Sequence, residues 1–280
     1  VLLRSLVLTL FAVYGAAERD VFLTLCCNYD SQQWSQTLSA LSSHQSSFTG
    51  LLADGYAISD TGALTTNKAA NNTEFFFDQL KKSHSQAQLL PMVASSAGAS
   101  MLALHPELRP SFFQDAVTTA ETNGFDGFVL DLEGPFANST IRAGMLEFLG
   151  NFSAVLAAGK RSLSVFIHKC PTADFGLNCG ALGSSSIGLK YVITMDTYTA
   201  DRREWLRFFD EAYGVISPAN HYNVGFEYNQ NLSPADDGRR NLAYMLSKGV
   251  AALTIWAGLP KNDAYWGLLH EFLTNTTNNS

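Results

Sequence analysis

A single (β/α)8 barrel is the fold this sequence predicts, and three observations predict it. Eight short apolar runs alternate with stretches of helical period over about 250 residues, the span of an ordinary barrel of this kind. Hydrophobic residues make up 46% of the 280 and charged residues 15%, which is enough core for one large α/β domain. No Gly-rich phosphate loop follows the first apolar run, where a doubly wound dinucleotide fold would need one.

Residues 1–17 read as a secretory signal peptide. Arg4 precedes the apolar run Leu6 to Val13, and the small residues Gly15-Ala16-Ala17 precede polar Glu18-Arg19-Asp20, so cleavage is expected after Ala17. No other run reads as long and apolar enough to span a bilayer, and no membrane association is expected once the signal is removed. The barrel then occupies 18–274, followed by a polar tail, 275–280.

Taken in order, the first strand runs from Asp20 to Cys27 and ends at the polar Asn28-Tyr29-Asp30. A Ser/Gln-rich helical stretch reaches Ser47, and Gly50 to Ile58 is the second strand. Thr73 to Ser83 is helical, with Phe75, Phe76 and Leu80 on its apolar side. Leu89 to Ala94 is the third strand and ends in Ser95-Ser96-Ala97-Gly98. Pro110 to Asn123 is a helix with proline in its first turn.

The fourth strand, from Gly127, carries the chemistry. Side chains alternate between faces, so Phe128, Leu130 and Leu132 share an apolar face suited to covering helices, and Val129, Asp131 and Glu133 share the other. Gly134-Pro135 stops the strand just beyond the two acids. In parallel α/β sheets, ligands and catalytic groups gather at the carboxyl ends of strands, where these acids lie.

Arg142 to Ala158 is amphipathic, and Ser162 to His168 is the fifth strand. Tyr191 to Asp196 is the sixth, Arg203 to Tyr213 a helix, and Asn223 to Tyr228 the seventh. Arg239 to Lys248 is a helix stopped by Gly249. Val250 to Trp256 is the eighth strand, and the helix Ala264 to Leu273 closes the barrel. Tyr29 and Tyr56 near the ends of strands one and two, and Glu227 and Tyr228 at the end of strand seven, are candidates to line a groove at the rim. Trp205, Tyr191 and Tyr213 read as packing residues, and His168 as a packed or loop-bonded histidine.

A net charge of −7 without a Lys/Arg cluster excludes the electrostatic footprint of a nucleic-acid binder. No HxH, HExxH or Cys/His cluster has metal spacing, so neither metal nor cofactor is expected. No G-x-S-x-G elbow supports Ser-His-Asp catalysis. Sequons at Asn71, Asn138, Asn151, Asn231, Asn275 and Asn278 agree with secretion or a lumenal compartment. Cys170 and Cys179 flank a short Pro/Gly loop that can close as a disulfide. Of the adjacent Cys26 and Cys27, at least one is expected to stay free and buried.

The stretch Asp126-Gly127-Phe128-Val129-Leu130-Asp131-Leu132-Glu133 resembles the fourth-strand signature of glycoside hydrolase family 18, DxxDxDxE. It matches at Asp126, Asp131 and Glu133, with Val129 in place of the middle acid. Trp256 sits where that family places the tryptophan flooring the central sugar subsite, and Ser95-Ser96-Ala97-Gly98 resembles its SxGG. For the family's MxYD, Met195-Asp196-Thr197-Tyr198 offers two readings: Asp196 as the acid, or Tyr198 reaching the acetamido group from a displaced position.

The resemblance implies a secreted, monomeric hydrolase of β-linked N-acetylglucosamine, in chitin, chito-oligosaccharides or the N-glycan core. Glu133 would act as the general acid, kept protonated by apolar surroundings, and Asp131 would hold the substrate's acetamido group, which supplies the nucleophile. Asp126, Asp196 and Tyr198 would support them. Trp256, Tyr29 and Glu227 would bind sugar. Without an acid at 129, Asp131 is expected to ionise more easily. The short segment between strands seven and eight leaves no room for an inserted domain and implies an open groove. A sugar-binding barrel that does not cut, and a muramidase-type barrel, are the alternatives.

Overall fold

The structure is a computed structural model. It describes residues 19–25, 31–67, 73–84, 86–94, 96–134, 136, 138–168, 170, 177–216, 221–227, 236–256, 258–260 and 262–274. The signal peptide, Cys26, Cys27, Tyr29, Tyr228, four of the sequons (Asn71, Asn231, Asn275 and Asn278) and the tail lie outside them.

The chain runs β1 (Asp20–Leu25), α1 (Ser31–Ser43), β2 (Gly50–Ile58), β3 (Leu64–Thr66), α2 (Thr73–Ser83), β4 (Gln88–Ala94), α3 (Ser96–Leu104), α4 (Arg109–Asn123) and β5 (Gly127–Leu132). It continues α5 (Ser139–Ala158), β6 (Ser162–Ile167), α6 (Cys179–Leu182), β7 (Tyr191–Thr194), α7 (Arg202–Tyr213), β8 (Tyr222–Glu227), α8 (Asp236–Ser247), β9 (Ala252–Trp256) and α9 (Asp263–Thr274). Eight of these strands pair in parallel in the order β1-β2-β4-β5-β6-β7-β8-β9, and β1 pairs with β9 to close the barrel. The predicted eight-stranded barrel is therefore the observed one.

Two elements escape the sequence reading. β3 is a short antiparallel strand hung on the end of β2, with Tyr56 opposite Thr66 and Ile58 opposite Leu64. α3 begins in the small-residue run after β4, where nothing but alanine, glycine and serine announces a helix. Its Gly98 packs so closely under β2 that an added Cβ would lie 2.3 Å from the Ile58 carbonyl oxygen.

The alternation on β5 is as predicted. Phe128, Leu130 and Leu132 join the cluster between barrel and helices, while Val129 joins the cluster filling the barrel. α5 has the length and apolarity of a bilayer-crossing helix, contrary to the expectation that only the signal peptide does. Here it is a packed helix: Met145, Phe148, Leu149, Phe152 and Leu156 are buried against the barrel. Trp205 is fully buried in the same layer, stacked on Phe209 and Phe226.

The interior is built in levels. In such barrels alternate strands contribute the four side chains of a layer, and the stagger between strands carries each layer two residues on for every two strands crossed. Val129 is in register with Ser164 and Ser164 with Tyr191, so the layer-mate of Val129 on β7 is Ile193. Traced round the circuit, Leu52, Val129, Ile193 and Thr254 form one layer. By the same stagger Asp54, Asp131, Met195 and Trp256 form the uppermost one, at the carboxyl ends of the strands. Leu52, Val129, Ile193 and Met195 are all members of the interior cluster, with Trp256 packed against it.

The opposite end is plugged by polar groups. Asp20 accepts hydrogen bonds from Thr49 Oγ1 at 2.8 Å and from the Tyr191 hydroxyl, and Lys190 Nζ lies 3.4 Å from it.

Candidate active site

Asp131 and Glu133 come off β5 two residues apart on the barrel's inner face and occupy different environments. Asp131 is largely buried in the uppermost layer, and its Oδ1 has no hydrogen-bond partner among the described residues. Burial first, then the negative charges of Glu133 and Asp54, raise its pKa from 3.8 to about 7. Val129 leaves Asp131 without one acidic neighbour, yet burial raises its pKa all the same, and Asp54, an acid from another strand, acts on it beside Glu133.

Glu133 stands just past the strand end and is exposed, so the apolar enclosure expected around it is present on one side only. That side is a cavity of about 330 Å³ between the ends of β5 and β6, walled by Leu132, Phe136, Ile167 and Leu177, with His168 across from Glu133. The Cys170–Cys179 disulfide is formed, with Cα atoms 5.9 Å apart, and Leu177 of this wall lies two residues before Cys179.

Beyond β7 the side chains of Met195 and Asp196 take opposite directions. Met195 points into the barrel and is buried in the interior cluster. Asp196 turns away: its Oδ2 accepts from the Cys170 backbone N–H at 2.7 Å, and its Oδ1 lies 3.7 Å from His168 Nδ1. Tyr198, one turn on, comes back over the acids. Its hydroxyl is buried without a hydrogen-bond partner among the described residues. Burial foremost, then Asp131, Glu227 and Glu133, hold its pKa well above the usual 10, so it stays a protonated donor.

Its ring lies nearly parallel to Trp256, centroids 6.4 Å apart, and Trp256 meets Phe166 edge-on at 5.6 Å. Gly225 on β8 makes room for it. A Cβ there would lie 2.6 Å from Tyr198 Cε1 and 2.2 Å from the Thr194 carbonyl oxygen.

Other predicted residues fall in three places. Glu227, half-buried and in register with Trp256, acts electrostatically on the Tyr198 hydroxyl. Asp126 lies at the other end of the barrel, where its Oδ2 accepts from the Leu89 N–H at 2.8 Å and ties β4 to β5. Tyr56 is buried outside the barrel, stacked on Phe77 at 6.1 Å, and does not line the groove. The bulge between Asp54 and Tyr56 turns it outward.

Asp54 and Gly225 are the residues the sequence reading missed. Asp54 shares the inward face of β2 with Leu52, a period-2 relation visible in the sequence. Gly225 is an isolated glycine within a strand, which signals a close approach.

The class so defined is a (β/α)8 barrel with a paired-carboxylate site, a buried tyrosine and a rim tryptophan at the carboxyl ends of its strands. The chain is similar in structure to a chitinase from Chromobacterium violaceum, at 16% identity, 92% of this chain, 99% of that one and a TM-score of 0.70. It is similarly close to a class V chitinase mutant from Nicotiana tobaccum in complex with NAG4, at 11% identity, 92% and 99% coverage and a TM-score of 0.71. The family 18 chitinase ChiB of Flavobacterium johnsoniae matches at 14% identity, 92% and 94% coverage and a TM-score of 0.65. The fold is therefore the one these chitinases share. No family model matches the sequence, and no curated protein matches it.

Proposed function

We propose that this chain is a divergent family 18 glycoside hydrolase that cleaves β-linked N-acetylglucosamine with retention of configuration. The observation that carries the reading is the grouping of Glu133, Asp131, the Tyr198 hydroxyl and Trp256 at one rim of a barrel of chitinase fold. A neighbour of that fold holds NAG4, which supports a carbohydrate ligand here.

In this reading Trp256 floors the sugar at the barrel mouth. Glu133 gives its proton to the glycosidic oxygen as the bond to the anomeric carbon breaks. The substrate's acetamido oxygen attacks that carbon from the opposite face, and the positive charge comes to rest on an oxazolinium ring. Tyr198 donates its O–H to the acetamido oxygen before attack, and ionised Asp131 takes up the acetamido N–H and faces the developing cation. Glu133, now a carboxylate, removes a proton from water, which opens the ring and restores the β-configuration. Asp196 supports the loop carrying His168, and Asp126 supports the strand. The N-terminal segment and the sequons at Asn138 and Asn151 support secretion as a glycoprotein. Asn138 also accepts from the Thr140 N–H at 2.8 Å and caps α5.

Proton NMR of chitotetraose hydrolysis tests this directly. The β-anomer of the product is expected first; the α-anomer appearing first would refute substrate assistance. Val129 favours a second reading, a barrel that binds such sugars without cutting them, because the position where the resembled signature has its middle acid is apolar here. Binding of chitotetraose without products would select that reading.

A further inference from the structure

The uppermost layer of the barrel holds two carboxylates on different strands, and only Asp131 belongs to the fourth-strand stretch. Asp54 reaches that layer from β2, two strands away, because the stagger that sets Val129 level with Leu52 sets Asp131 level with Asp54. The bulge at Gly55 ends the inward face of β2 just beyond Asp54, and Tyr56 pairs outward with Val93.

Asn67, at the end of the β2–β3 hairpin, holds Asp54 in place. Its Nδ2 donates to Oδ1 at 3.0 Å and Oδ2 at 3.2 Å, while its backbone N–H donates to the Gly55 carbonyl at 2.9 Å. An amide N–H2 only donates, so both Asp54 oxygens act as acceptors in this contact. Asp131, facing it with one oxygen unpartnered among the described residues, is the member of the pair left to carry the proton. The other groups around Asp131 are Glu133 on its own strand, the Tyr198 hydroxyl beyond β7 and, behind Tyr198, Glu227 of β8. Among the described residues, the charged groups that act on Asp131 are acids.

We propose that Asp54 is a positioning residue for Asp131: a fixed anion, held by Asn67, that supplies from β2 the acidic neighbour Val129 does not. Its effect adds to burial and to Glu133 in favouring the protonated form of Asp131. The consequence for turnover rests on the hydrolase reading, in which the Asp131 anion faces the oxazolinium cation.

The test is a carboxyl-carbon NMR titration of Asp131, assigned by the resonance missing in Asp131→Asn, in the full chain and in Asp54→Asn. The Asp131 midpoint is expected to fall by about half a pH unit in Asp54→Asn, a modest like-charge effect, and by more in Glu133→Gln. Adding Val129→Asp to Asp54→Asn should restore the raised midpoint, because the new carboxylate lies directly below Asp131 on the same face. An unmoved midpoint in folded Asp54→Asn overturns the proposal. Should that variant not fold, Asn67→Ala removes the two bonds to Asp54 and must lower the midpoint too; no movement there overturns the proposal equally. The titration needs no turnover. A midpoint that moves in a chain that cleaves nothing keeps the proposal and removes the hydrolase reading, whereas in an active chain the acid limb of the pH–rate profile shifts down with the midpoint.

Discussion

Replacing Asp131 by asparagine should stabilise the protein, and more so the higher the pH. The carboxyl has a pKa of 3.8 when unperturbed and about 7 in the fold. A raised folded pKa means that the native state holds the proton more tightly than the unfolded chain, so stability is lost as pH climbs from the unfolded value through the folded one. Below about pH 4 both states are protonated and the residue costs nothing by this route. At 1.36 kcal/mol per pH unit, the loss reaches about 2 kcal/mol at pH 5 and about 4 kcal/mol at pH 8. The asparagine side chain carries no charge to bury at any pH. With about 2 °C per kcal/mol for a chain of this size, Asp131→Asn should melt about 4 °C higher than the parent at pH 5 and about 8 °C higher at pH 8. Thermal unfolding followed by circular dichroism across that range is the assay. Equal shifts at both pH values, or a lower melting temperature at pH 8, would refute the claim that the interior penalises the Asp131 anion. Stability held back in this way is expected at a site built to meet a positive charge.

Tyr198→Phe removes a hydroxyl that is buried and unpartnered among the described residues, so stability in urea should be unchanged or rise by up to about 1 kcal/mol while kcat falls at least tenfold. A loss of stability without a loss of kcat would place the hydroxyl in the fold rather than in the reaction. Gly225→Ala forces a methyl against Tyr198 and the Thr194 carbonyl, and should cost about 1–3 kcal/mol in a denaturant titration together with most of the activity. Replacing Cys170 and Cys179 by serine opens a loop with a sequence separation of 9 and should cost about 2–3 kcal/mol. Leu177 then leaves the Glu133 wall, so KM for oligosaccharides should rise; an unchanged KM would mean that the wall does not meet substrate.

What is legible in the sequence depends on how far along the chain the information lies. Phe128 to Glu133 declares its two faces because alternation is a local rule, and the apolar outer face and acidic inner end are where that rule puts them. Trp256 is singled out in the sequence by the family resemblance, and in the structure it ends the last strand. Asp54 is not, although its inward direction follows from Leu52, because only the register of the intervening strand β4 brings it level with Asp131. Tyr198 and Asp196 lie beyond β7 in a turn, where no periodicity fixes direction, so the sequence alone does not foretell that Asp196 engages Cys170 and His168. The raised pKa of Asp131 also follows from three dimensions: a residue's acidic neighbours in sequence say nothing of how much water reaches it. α5 misleads in the opposite sense, since its apolarity serves packing on both β5 and the flanking helices rather than a bilayer.

The central claim is that Glu133 is the proton donor of a glycoside-cleaving site. Release of a fluorophore from chitobiose and chitotriose glycosides, by the purified chain and by Glu133→Gln, measures it most directly. Turnover by the parent that disappears in Glu133→Gln, with oligosaccharide binding retained in both, is the predicted result. Equal turnover in the two proteins, or binding with no turnover in either, would contradict it.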